Sequence, residues 1–186
     1  MHPLRLIIFG RQGSGKGTQC ARLVEQLKVI HLSTGDILRS NIEQSTELGL
    51  KVQPILARGG LVDDETVLAL VQDRIKQDDV QEFGFILDGF PRTLNQAQGL
   101  MSLLGEDGLD AALNLDVEID EVMRRILDRG RDDDVSESIK ERLRLYEAET
   151  VPTIDWFDSR GLLTNVDGLG SEEEVTARIL SVLGTE

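Results

Sequence analysis

Residues 10–18, GRQGSGKGT, carry the spacing of a phosphate-cradling loop, with Gly10, Gly15 and Lys16 at the positions such a loop requires. Glycines there let successive backbone N–H groups turn toward one anion, and a helix starting just after adds its positive end. Lys16 then reaches the outer phosphates. The residue after the lysine is usually a Ser or Thr that holds Mg²⁺, as in guanine-nucleotide switches and many ATPases. Here it is Gly17, and the hydroxyl comes one place late, at Thr18. The metal must then be held by nucleotide oxygens, water and a carboxylate at a neighbouring strand end. Asp88, closing the run FILD, is the expected Mg²⁺ residue, acting through water. The stretch TNVD also lacks the lysine of a guanine-reading N-K-x-D signature, which argues against a switch GTPase.

A second pair of segments, STGDILR (33–39) and LDGFPRTLNQ (87–96), has the chemistry of another anion site. Each begins where a strand is expected to end, the edge of a parallel sheet at which ligands bind. Each supplies an arginine, Arg39 and Arg92, and Gly89 with Pro91 shapes a turn that fixes the direction of Arg92. The chain has 15 Arg against 5 Lys. Codon bias is one reading of that skew and bidentate gripping of phosphates by some of the guanidiniums is the other, and position has to decide between them. Arg125, Arg129 and Arg131 add guanidiniums in and before the charged loop DRGRDDDVSES (128–138), whose default reading is solvated surface. Only two histidines, His2 and His31, are present, too few and too far apart to suggest imidazole chemistry.

The elements that must position these residues alternate. Apolar runs of strand length occur at 4–9, 29–32, 83–88, 111–117 and 162–166. Helical spacing occupies 15–27, 34–41, 47–58, 63–77, 93–104, 120–129, 136–150 and 171–183. This alternation predicts an α/β fold, a parallel sheet with helices on both faces. About 50 residues separate the second and third strands, too many for one crossover helix, so an excursion from the sheet is expected there. A length of 186 residues suits one domain with a full core. The net charge of −14 argues against nucleic-acid binding. No apolar run spans a membrane. A single cysteine, Cys20, is expected as a buried structural thiol, and with it a cytoplasmic setting.

With GSGKGTQ, HLSTGDILR, GGLVDDE, FILDGFPRTLNQAQ, RGRDDD, ERLRLYEAET and NVDG, the chain resembles the adenylate kinases of the short-lid bacterial kind over essentially its whole length. The resemblance implies a P-loop three-layer fold with a central parallel five-stranded sheet. It also implies a helical NMP-binding insertion at 33–62 and a short lid at 129–135. The implied activity is Mg²⁺-dependent transfer of the γ-phosphate of ATP to AMP, giving two ADP. By position, Gly13, Ser14, Gly15, Lys16, Gly17 and Thr18 would wrap the ATP phosphates, and Gly170 would touch its adenine. Thr34, Arg39, Gly60, Leu61, Val62, Gly89, Phe90, Pro91, Arg92 and Gln96 would hold AMP. Arg125 and Arg129 would lie along the ATP and the transferring phosphate, Arg131 and Arg142 toward the monophosphate. Asp133 and Asp134 would orient arginines as the lid closes. Catalysis would rest on these arginines, Lys16 and the two lid carboxylates. UMP/CMP kinases of the same family carry Ala where this chain has Thr34 and Asn where it has Gln96, so AMP is the expected acceptor. A UMP/CMP kinase and a non-catalytic adenine nucleotide sensor remain the alternatives. Arg11 and Gln12 depart from the small residue and proline usual at the loop's start. The lid has no cysteine cluster, so no zinc is expected, and the chain is expected to act as a monomer.

Overall fold

The computed structural model describes residues 3–105, 108–129 and 136–185, residue 129 by its backbone alone. Five strands, β1 (Arg5–Phe9), β2 (Ile30–Ser33), β3 (Phe85–Asp88), β4 (Ala111–Asp116) and β5 (Leu163–Asp167), form one sheet in the order β2-β3-β1-β4-β5. Every pairing is parallel. The expected α/β architecture with a five-stranded parallel sheet is therefore borne out.

Strand β1 shows how the sequence builds the layers. Leu6 and Ile8 pack on one face with Cys20, Leu23, Val175 and Ile179, while Ile7 and Phe9 pack on the other with Leu38, Val71, Leu100 and Phe157. Period-two alternation in a run that is apolar throughout serves two cores at once, which is why central parallel strands read as unbroken hydrophobic runs. The first face is covered by α1 (Lys16–Leu27) and α10 (Glu172–Val182), whose N-terminus is fixed by a capping box between Ser171 and Glu174. The second face is covered by α2 (Thr34–Glu43), α4 (Asp64–Ile75), α6 (Leu94–Leu104) and α9 (Val151–Asp158). The helix α3 (Glu47–Ala57) packs beside α2, so the stretch expected as an excursion holds two helices before α4 returns to the core.

Two elements differ from the sequence expectation. Residues 78–83 form a short helix, α5 (Asp78–Phe83), and β3 starts two residues later than Phe83. Gly84 separates them, its N–H bonding Val80 O at 2.9 Å, and Phe83 stays largely exposed. Helix α8 (Ser136–Leu145) does not end at Thr150 either. It passes through a π-helical turn, Tyr146–Thr150, directly into α9. Pro152 sits in the first turn of α9, where a missing N–H costs least. The wide turn carries the ladder to that point, with the Val151 N–H bonding Tyr146 O. The strands align at their carboxyl ends, Ser33 beside Asp88 and Asp88 beside Ile8, so the loops that follow open on one cleft. Helix α7 (Ile119–Arg129) runs from β4 toward the same side.

Candidate active site

The glycine loop lies between β1 and α1 as expected. Gly15 caps α1 with φ 98°, a left-handed conformation that glycine adopts without steric cost, and no side chain caps the helix. The first intrahelical bond is Gln19 N–H to Gly15 O at 3.0 Å, so the N–H groups just before it have no carbonyl of the helix to bond. Lys16 Nζ spans the loop, donating to Gly10 O at 2.8 Å and Arg11 O at 3.0 Å. The Ser14 hydroxyl is buried and has no hydrogen-bond partner among the described residues. A buried orphan hydroxyl beside a helix N-terminus suits an anion that brings its own acceptors.

Across the cleft, the turn after β3 is built around Arg92. Its Nε donates to Gly89 O at 2.7 Å, and its backbone N–H donates to Gln96 Oε1 at 2.7 Å. Its carbonyl accepts from Thr150 Oγ1 at 3.2 Å, tying the turn to the end of the π-helical segment. Thr34 Oγ1 donates to Gly89 O at 3.0 Å. Gly89 has φ 78°, and a Cβ there would stand 3.0 Å from Arg92 Nη2 and 3.1 Å from Thr34 Oγ1. Only glycine lets all three meet. The Phe90–Pro91 peptide bond within this turn is cis.

Three cations converge at this point. Burial depresses the pKa of the Arg92 guanidinium, Asp88 opposes that, and the charges of Arg142 and Arg39 press it down further. Mutually repelling guanidiniums around one cleft are held there at a cost that an anion between them removes. Arg39 is paired with Asp36 on its own helix, and Arg142 Nη2 lies 3.5 Å from Leu56 O.

Arg125 links the glycine loop to the loop after β5. Its Nη1 donates to Ser14 O at 3.2 Å, its Nη2 to Gly168 O at 3.3 Å, and its Nε to Glu121 Oε1 at 2.6 Å. Gly170 follows two residues on, in a left-handed conformation at the same rim. Burial alone would raise Asp88, yet the hydrogen bond with His31 and the charges of Lys16, His31 and Arg92 hold its carboxyl below the usual range. A carboxylate that stays ionised at a cleft edge suits a hydrated Mg²⁺. The space above it is open as well, since a Cβ on Gly17 would lie 4.0 Å from Asp88 Oδ2. The donor set therefore fits a metal held through water.

One continuous cleft of about 1510 Å³ is lined by both groups, from the glycine loop, Thr18 and Gly170 through Asp88 to Thr34, Arg39, residues 60–62, residues 89–92, Gln96 and Arg142. A single small-molecule pocket takes about 300–1,000 Å³. Arg131, Asp133 and Asp134 lie outside the described residues, as does the side chain of Arg129.

Three residues at the site had not been singled out from sequence. Asp64 Oδ1 accepts from Gln96 Nε2 at 2.8 Å and from Thr93 Oγ1 at 3.0 Å, orienting the buried Gln96. The doublet Asp63–Asp64 was a usable signal, because Asp63 alone suffices to cap α4 through Thr66 N–H. Glu121 holds Arg125, and His31 Nε2 sits 3.3 Å from Asp88 Oδ2. The i,i+4 spacing of Glu121 and Arg125 on the expected helix was a usable signal, whereas no spacing announces the contact of His31 with Asp88.

The family model described as adenylate kinase matches residues 8–162. The chain is 46% identical over 187 residues to the adenylate kinase of Xanthomonas campestris pv. campestris (strain 8004), covering 97% of this chain and all of that one. It is 45% identical over 187 residues, with the same coverage, to that of Xanthomonas oryzae pv. oryzae (strain MAFF 311018). To the adenylate kinase of Stenotrophomonas maltophilia (strain K279a) it is 43% identical over 186 residues, covering 97% of this chain and 99% of that one.

Proposed function

The chain belongs to the adenylate kinase family, and from that premise we propose that it transfers the γ-phosphate of ATP to AMP, reversibly, giving two ADP. The observation that carries this reading is the convergence of Arg39, Arg92 and Arg142 on one end of a cleft whose other end is the glycine loop. A cleft with an anion site at each end brings two phosphate tails together.

In this reading the loop amides, Lys16, the Ser14 hydroxyl and Thr18 hold the ATP phosphates, and the loop around Gly170 borders its adenine. The AMP phosphate sits among Arg39, Arg92 and Arg142, with its base toward Thr34, residues 60–62 and Gln96. The attacking AMP phosphate oxygen is already ionised, so no general base is needed. The work left to the protein is alignment and charge neutralisation. Arg125 stands on the donor side, fixed by Glu121, and Arg129 extends the same helix toward the transferring group. Asp88 holds Mg²⁺ through water, and the ion when bound neutralises charge on the ATP phosphates. The insertion at 33–62 and the lid at 129–135, with Arg131, Asp133 and Asp134, close over the substrates and exclude water that would waste ATP. Both subsites come from one chain, which supports action as a monomer, with cytoplasmic ATP and AMP as its substrates. Cys20 is the one cysteine in the sequence, so a multi-cysteine zinc site in the lid is not available.

The test is a coupled assay with AMP, UMP, CMP and GMP supplied separately as acceptors. AMP should be by far the best. A preference for UMP or CMP would make the chain a pyrimidine nucleotide kinase on the same fold, and binding of ATP and AMP without ADP formation would make it a sensor.

A further inference from the structure

Strands β2 and β3 bring two further side chains to the face of the sheet that α1 covers. Ile30 and Leu32 point into the core on the opposite face, so alternation turns His31 toward α1. Ile86 packs on the α1 face, and Asp88, two residues on, shares its side. Cys20 of α1 lies on that face too, fully buried. Cys20 Sγ, a ring nitrogen of His31 and a carboxylate oxygen of Asp88 all lie within 4.8 Å of one another. We propose that Cys20, His31 and Asp88 form a binding site for a zinc-class divalent ion, and that its occupancy takes Asp88 away from Mg²⁺.

The geometry is close to what such an ion needs. Ligand distances of about 2.0–2.3 Å at tetrahedral angles put ligand atoms about 3.3–3.6 Å apart. His31 Nε2 and Asp88 Oδ2 already stand 3.3 Å apart, so only the sulfur has to close in, by about 1.3 Å at most on that scale. One thiolate, one imidazole and one carboxylate are a donor set for zinc or cobalt and not for Mg²⁺, which takes oxygen ligands. Three protein ligands leave a fourth position on the cleft side, where Asp88 is partly exposed and Gly17 has no side chain to cover it.

Two forces oppose the ion. Burial and the nearby Asp88 carboxylate keep the thiol protonated, and the Lys16 cation bears on both Cys20 and Asp88. A divalent ion displaces the thiol proton to solvent, turns the Asp88 repulsion into attraction and gains a metal–sulfur bond. This mixed site beneath the glycine loop runs against the expectation of no zinc, which rested on the missing cysteine cluster in the lid.

Titrating the reduced, nucleotide-free protein with Co²⁺ tests the site directly. The wild type should develop visible d–d bands of a four-coordinate ion and a near-ultraviolet thiolate-to-cobalt charge-transfer band, with Zn²⁺ displacing both. Cys20→Ser should lose the charge-transfer band. Cys20→Ser and His31→Asn should each bind Zn²⁺ at least about 100-fold more weakly, the upper end of what losing even an outer-sphere partner costs. No thiolate band in the wild type, or a Cys20→Ser affinity equal to wild type in protein of unchanged melting temperature, would overturn the site. The inhibitory consequence rests on the reading of Asp88 as the Mg²⁺ carboxylate. With excess Mg²⁺-ATP, Zn²⁺ should inhibit the wild type at concentrations about 10-fold or more below those affecting Cys20→Ser. A cobalt band without that difference would overturn the assignment of Asp88 to Mg²⁺ and leave the site standing.

Discussion

Arg92 and Arg39 face the same cleft from opposite kinds of ground. Arg92 stands on a turn at the end of a central strand, its Nε bound to Gly89 O and its backbone bound on both sides, by Gln96 and Thr150. Arg39 stands on α2, 37% exposed, and its partner is Asp36, one helical turn back. The first arginine is aimed before any substrate arrives. In the proposed mechanism the second must leave a carboxylate to reach a phosphate. Rigid placement lowers the cost of catalysis, while a releasable pair allows entry and exit.

If that contrast governs the site, Arg92→Ala should be the most damaging change, lowering turnover at least about 100-fold on the scale of arginines in phosphoryl transfer. Steady-state rates with an unchanged far-ultraviolet CD spectrum would check it, and near-normal turnover would remove Arg92 from the mechanism. Arg39→Ala should cost less, about 10-fold to 100-fold in kcat/KM for AMP, the equivalent of one charged hydrogen bond of about 1.5–3 kcal/mol. An equal loss in both variants would abolish the distinction between fixed and releasable arginines. Asp36→Asn should move AMP affinity the other way, tightening it by up to about 5-fold, because exposed ion pairs are worth about 0.2–1 kcal/mol. Calorimetric titration with AMP gives that number.

The smallest effect belongs to Glu121. Its hydrogen bonds to Arg124 and Arg125, with their charges, bring its pKa down to about 2. A carboxyl lowered on folding contributes stability above its unfolded value, and that contribution is lost as pH falls toward the folded value. Glu121→Gln should therefore leave a shallower decline in melting temperature between about pH 4.5 and pH 2. An acid limb identical to wild type would show that the pair contributes nothing.

The strand ends and the glycine loop were legible because local sequence alone specifies them: an apolar run, a glycine, a polar cluster. The start of β3 was misread because FGF looks like strand on both sides of Gly84, yet Phe83 closes the last turn of α5 and stays exposed. The end of α8 was misread because Pro152 normally stops a helix, and nothing local reveals that a wide turn will carry the chain past it. At the site, the described residues expected to touch ligand line the cleft, whereas Asp64 and His31, which act through another residue, were missed. Asp64 reaches Gln96 across 32 positions and His31 reaches Asp88 across 57, separations that only the folded sheet makes short.

The widened turn at Tyr146–Thr150 amounts to one residue more than a regular helix between Leu145 and Val151 would use. The wide turn absorbs that residue, so the helices on either side keep the facing they would have without it. Removing Ala148 should close the turn to ordinary pitch and leave Thr150 against the carbonyl it supports and Phe157 against Phe9. A one-codon deletion there should be tolerated, whereas the same deletion within α8 or α9 would turn everything downstream by about 100°.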